Sequence, residues 1–168
     1  MTTKTDFTPE EWKLITGLPW AIGLAVILAE DKGGRKATKK ELAALERAPA
    51  LAAAQFAGSV LVQAALPDVA AHTASDRIKE YSREKGDTEQ AIYQDTFKMC
   101  QQAAAILAAK TPFAEQEAYR RFVLEIGRRV ADAAVDAEFL GIGGGTISAY
   151  ERKILRAFAN ALGQEEED

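Results

Sequence analysis

The residues whose type and spacing best suit chemistry are carboxylates at two turns. Asp132 and Asp136 stand one helical turn apart, Glu138 follows, and Glu151 falls in the first turn of the next helical pattern. Asp31 and Glu41 occupy comparable places in the first quarter of the chain. A hard cation such as calcium or magnesium needs several converging oxygens, and a helix–loop–helix corner can supply them. An EF-hand is excluded, because the fifth position counted from Asp136 is Leu140 and the twelfth is Ile147, neither of them a ligand. Taken alone, the residues favour a plainer role. Glu151 fits a capping box, and Asp136 extends a ladder with Arg128 and Asp132 beside a second ladder of Glu117, Arg121, Glu125 and Arg129. Opposite charges four residues apart support an exposed helix face by a few tenths of a kcal/mol, roughly, and they give the aspartates arginine partners.

Other chemistry has less to stand on. Lys32, Arg35, Lys36, Lys39 and Lys40 concentrate positive charge at the first turn, where they could hold an anion or an acidic partner. No aromatic residues interleave them, so single-stranded nucleic acid is not the expected ligand, and a solvated loop is the simpler reading. Gly141-Ile142-Gly143-Gly144-Gly145 follows a helical pattern, not a strand, and no Lys-Ser/Thr pair succeeds it. Neither a dinucleotide fingerprint nor a phosphate-binding loop is met, and a connector is expected. His72 and Cys100 are the lone residues of their kinds. That rules out the usual zinc sets and a Glu-x-x-His di-iron site, and no spaced nucleophilic triad is present. The sequence therefore predicts a protein that is not an enzyme and requires no cofactor.

These groups must be positioned by helices. The 168 residues suit one domain, expected over 1–163 with an acidic tail at 164–168. The chain is 48% hydrophobic and 27% charged, which permits a buried core, and its net charge of −4 argues against wholesale nucleic-acid binding. Alanine supplies about a fifth of the residues and β-branched types are few, a bias toward helix. A single cysteine and a start without an apolar leader lead to a cytoplasmic expectation. Two apolar stretches, Ile15–Ala29 and Ala48–Pro67, read as core helices in preference to membrane spans. The first is short, and the second is alanine-dominated and broken by Gln, Gly, Ser and Pro.

Pro, Gly and capping residues punctuate the chain into about seven helices, an all-α bundle without strands. Thr8-Pro9-Glu10-Glu11 opens the first, with Trp12, Ile15, Leu18, Ile22 and Val26 inward and Pro19 expected to kink or split it. Thr38-Lys39-Lys40-Glu41 opens a short second helix to about Arg47. Pro49 starts an alanine-rich helix ending before Pro67, and Pro67-Asp68 starts another running to about Lys85. Asp87-Thr88 caps a helix with Tyr93, Phe97, Cys100, Ala104 and Leu107 inward. Thr111-Pro112 caps a long one carrying Tyr119, Phe122, Ile126, Val130 and Ala133. Ser148-Ala149-Tyr150-Glu151 opens the last, with Ile154, Leu155, Phe158 and Leu162 inward.

The first and last hairpins echo each other. A shift of 110 residues superposes Gly17 on Gly127, Gly33-Gly34 on Gly143-Gly144, Thr38 on Ser148, Glu41 on Glu151 and Leu45 on Leu155. This plan suggests a pseudo-twofold duplicated hairpin. The order helix, acidic residue, glycine loop, Ser/Thr-x-x-Glu, amphipathic helix resembles the TerB-like (tellurite-resistance) helical domain. It is carried here by Ala134-Val135-Asp136 with Gly145-Thr146-Ile147-Ser148-Ala149-Tyr150-Glu151, and by Ala29-Glu30-Asp31 with Gly33-Gly34 and Thr38-Lys39-Lys40-Glu41. The chain departs from that pattern where Ala137–Leu140 separate Asp136 from the glycines and where Lys32 follows Asp31. The resemblance implies a cytoplasmic, stress-associated seven-helix domain whose acidic turns, Asp31, Glu41, Asp136 and Glu151, contact a divalent cation, calcium or magnesium. The competing expectation is a protein-protein interaction module or homodimer that uses the alanine-rich face around Gly58 and Ser59 without any metal.

Overall fold

The computed structural model describes residues 2–28, 34–77, 79, 89–138 and 149–163, with side chains omitted at 34–38, 89–90 and 134–138. Those residues are helical almost throughout, and no strand occurs among them. A 3-10 turn at Lys4–Asp6 precedes α1 (Pro9–Leu28), α2 (Gly34–Gln55), α3 (Val60–Ala70), α4 (Glu89–Lys110), α5 (Phe113–Glu138) and α6 (Ala149–Ala161). A further helical turn covers 74–77. The result is the expected all-α bundle.

The Thr8 capping box forms as its sequence requires. The Thr8 N–H donates to Glu11 Oε2 at 2.7 Å, and the Glu11 N–H donates to Thr8 Oγ1 at 3.2 Å. Every residue from Ile15 through Ile27 is buried, so α1 is the central helix and the others wrap it. For a helix apolar on all sides that is the expected place. Although α1 is long and apolar enough to cross a membrane, 78% of its most apolar window is buried inside the protein.

None of Pro19, Pro49 and Pro67 splits or starts a helix. α1 runs unbroken through Pro19. Proline lacks the N–H that would bond the carbonyl four residues back, here Ile15, and the Tyr119 hydroxyl donates to that carbonyl at 2.6 Å instead. α2 begins at Gly34, not Thr38, and continues through Pro49 to Gln55. Pro49 is itself buried, so its ring adds packing where its missing N–H removes a bond. Pro67 lies inside α3 and starts nothing.

The real break in the alanine-rich stretch is at Ala57-Gly58-Ser59, because strong capping groups meet there. Ser59 is the N-cap of α3, its Oγ accepting from the Val62 N–H at 3.2 Å. Glu115 of α5 then completes the cap. Its carboxylate accepts from Ser59 Oγ at 2.6 Å, the Leu61 N–H at 2.9 Å and the Val60 N–H at 3.2 Å. On the other side, Gln63 Nε2 donates to the Ala53 and Phe56 carbonyls and closes the end of α2.

The buried face of α4 is Ile92, Thr96, Cys100, Ala103 and Leu107, which includes the expected Cys100 and Leu107 and lies one residue before the expected Tyr93, Phe97 and Ala104. Tyr93 and Phe97 are half-buried on its flank, where Tyr93 stacks on Phe158 of α6 with ring centres 5.5 Å apart. On α5 the expected Tyr119, Phe122, Ile126 and Val130 are buried while Ala133 is half-buried, and the expected Ile154, Leu155, Phe158 and Leu162 of the last helix and its end are all buried.

Contacts fix the helix directions. Tyr119 meets Ile15, and Gly127 lies against Ile22 and Val26, so α1 and α5 run parallel. Gln55 meets Glu125, and Arg47 and Leu51 share a groove with Arg129 and Asp132, so α2 runs antiparallel to α5. Thr96 donates to the Ala21 carbonyl and Lys110 pairs with Glu11, so α4 opposes α1. Gly127 under Leu155 and Gly163 beside Arg120 make α6 antiparallel to α5. One pole of the bundle therefore gathers the C-terminal ends of α1 and α5 and the N-terminal ends of α2, α4 and α6.

The echo between hairpins has a packing counterpart. Leu45 sits over Gly23 and Leu155 over Gly127, each so close that a Cβ on the glycine would collide with the leucine. The first-half glycine in this role is Gly23, whereas Gly17, superposed on Gly127 by the 110-residue shift, faces Met99.

Candidate functional site

Two regions deserve the name, one at each end of α1. The first is the pole just described, near which Glu41 and Glu151 lie. Asp31 and Lys32 lie outside the described residues, as does the glycine run 141–145. Arg35, Lys36 and Asp136 have described backbone in α2 and α5 but no described side chain. Lys39 and Lys40 are exposed on α2.

Glu41 and Glu151 are buried, at 4% and 2% exposure. Each stands one turn nearer the pole than a leucine seated on a glycine, Leu45 and Leu155 respectively. Carboxylates this deep must be engaged to remain charged, and both have interacting partners. Their helical positions differ. Glu151 lies in the first turn of α6, as the capping-box spacing predicts, while Glu41 lies two turns into α2 because that helix starts at Gly34.

The α2–α5 register brings residues from the two halves together. Gln55 is opposite Glu125, and Arg47 is opposite Asp132 and Ala133. Continued at that register, Asp136 comes level with Ala44, within one helical turn of Glu41. Among the described residues, no group of three or more His, Cys, Asp and Glu side chains is disposed to hold a metal. The predicted ladder on α5 forms in part. Glu125 pairs with Arg129 at 2.9 Å, but Glu117 pairs with Arg120 at 2.8 Å, not with Arg121.

The second region is an open cavity of about 640 Å³ at the opposite end of α1, bordered by the N-terminal 3-10 turn, the first turns of α1 and the end of α3. Its organising group is Asp68. Asp68 Oδ2 accepts from the Trp12 indole Nε1 at 2.6 Å and from Lys4 Nζ at 2.9 Å. The Lys4 ammonium, then the indole N–H, hold the Asp68 carboxyl below its ordinary range. Lys4 also lies over the Trp12 ring, 5.9 Å from its centre, and Phe7 packs on Trp12 with ring centres 5.5 Å apart. Lys13, His72 and Arg77 complete the polar lining. Sequence reasoning takes Trp12 as a core anchor and Asp68 as a helix start. Only the tertiary approach of α1 and α3 reveals that the two form one site.

Two groups of nucleophilic type, Cys100 and Tyr119, are held in the core. Cys100 is fully buried, which pushes its thiol up to about 12, so it carries no reactive thiolate. Tyr119 is buried with its hydroxyl committed to Ile15, and burial raises its pKa well above the ordinary phenol value. The chain matches no protein-family model, and neither the curated proteins nor the solved structures include one significantly similar to it.

Proposed function

We propose that this chain is a non-enzymatic binding domain of the TerB-like kind, acting in the cytoplasm through the pole that bears its acidic turns, with a divalent cation as the ligand there. The supporting observation is the α2–α5 register. It sets Asp136 within one turn of Glu41 although 95 positions separate them, as a shared ligand set drawn from both halves requires. The N-terminus of α6 at this pole favours the Glu151 carboxylate in its first turn. The burial of Cys100 and the commitment of Tyr119 support a binding role over a covalent one.

Manganese titrated into chelator-stripped protein, followed by the electron paramagnetic resonance of the free ion, tests this directly. The free-ion signal is expected to be suppressed up to one equivalent, and Asp136→Asn to restore it. A signal that grows as it does in buffer contradicts the proposal.

The second reading is an interaction module that pairs with a copy of itself. One observation favours it: Leu51 is 53% exposed in the groove between α2 and α5, flanked by Arg47, Arg129 and Asp132. It predicts a dimer by light scattering that Leu51→Glu dissociates. A monomer at all concentrations sinks it.

A further inference from the structure

The cavity at the Trp12 end of α1 has a ligand chemistry of its own, independent of the acidic pole. Its volume of about 640 Å³ falls in the range typical of small-molecule sites and is too small for a folded partner. One wall is apolar and aromatic, formed by Phe7 and Trp12. Its carboxylate, Asp68, is already neutralised by Lys4 and bonded by the Trp12 indole. A ligand cation therefore finds no uncompensated charge in the cavity. Apart from threonine hydroxyls and the His72 imidazole, the remaining polar side chains of the lining are cationic. The Lys13 ammonium and the His72 imidazole line the cavity and are exposed, and neither forms an ion pair or side-chain hydrogen bond among the described residues. Arg77 adds another cation to the same lining.

We propose that this cavity binds a small organic anion with a flat apolar body. The body lies along the small part of Phe7 and Trp12 that borders the cavity, both rings being otherwise buried, and the anionic head meets Lys13 and His72 at the rim. Lys4 and Asp68 act as positioning residues, because their contact with Trp12 fixes the indole that forms the wall.

The test is calorimetric titration of the full chain with 2-naphthoate, with neutral 2-naphthalenemethanol as the matched control. The expected result is saturable one-to-one binding of the anion, weakened by added salt, with the neutral analogue about tenfold weaker or more. The double variant Lys13→Glu/His72→Ala changes only exposed side chains. It is expected to lose naphthoate binding by about tenfold or more with an unchanged unfolding midpoint. Lys39→Glu/Lys40→Glu, at the other pole, is expected to bind as the parent does. No saturable binding at millimolar naphthoate, equal binding of the neutral analogue, or binding that survives Lys13→Glu/His72→Ala overturns the proposal. None of these outcomes bears on the cation at the acidic pole.

Discussion

Pro19 deletes the N–H that would bond the Ile15 carbonyl, and the Tyr119 hydroxyl supplies the missing donor from a different helix. A buried carbonyl left without a partner costs about 1–3 kcal/mol, so Tyr119→Phe should lower the unfolding free energy in urea by that amount. The attribution to proline is separately testable. With Pro19→Ala, residue 19 regains its N–H, and Tyr119→Phe should then cost markedly less. Equal cost in both backgrounds would show that the tyrosine does not act through this carbonyl. At this scale the sequence is a partial guide. Trp12, Cys100 and Tyr119 are recognisable as core residues from their spacing, and all three are buried. The compensation of Pro19 lies 100 positions away, beyond the reach of any local rule, which is why proline reads as a break. The Trp12–Asp68 bond is hidden for the same reason.

Helix boundaries show what local patterns miss. α3 starts at Ser59 because Glu115 of α5 accepts three hydrogen bonds at that end, and a donor–acceptor match across helices outweighs the preference of Pro67 for a first turn. The same arrangement predicts a pH dependence. Burial by itself raises the Glu115 pKa, but the bonds from Ser59, Leu61 and Val60 outweigh it, and the net shift is downward. A carboxyl depressed in the folded state contributes stability above its unfolded pKa, about 4.3, and loses it as pH falls through the folded value. Glu115→Gln should therefore be less stable than the parent at pH 7 by about 1–2 kcal/mol, and the gap should narrow below about pH 4.3. A gap that stays constant into acid would mean the charge is not what caps α3. Where a helix end is set by its own residues, as at Thr8-Pro9-Glu10-Glu11, the boundary is legible in the sequence and the structure agrees. Amphipathic faces are legible too, except on α4. There the half-buried Tyr93 and Phe97 draw the predicted face one residue toward α6.

For the whole molecule, the direction in which helices run matters more than any single contact. Alternating directions about a buried α1 bring five helix ends to one pole, with Glu41 and Glu151 near it, while a cavity with cationic lining forms at the other. The all-α class and the likeness between the two hairpins can be read from composition and spacing, because helix propensity and capping are local. Which glycine receives which leucine cannot: Gly23, not Gly17, lies under Leu45, since that choice depends on how α1 rotates toward α2 and α4. The central claim concerns the acidic pole, and thermal unfolding of chelator-stripped protein with and without calcium, magnesium, manganese or zinc tests it most directly. A cation that binds only the folded chain, at a hundredfold excess over its Kd, stabilises it by about 2.7 kcal/mol, which corresponds to roughly 5–10 °C at this size. The account predicts such a rise with at least one cation and its loss in Asp136→Asn. A midpoint that none of the four cations moves would contradict it.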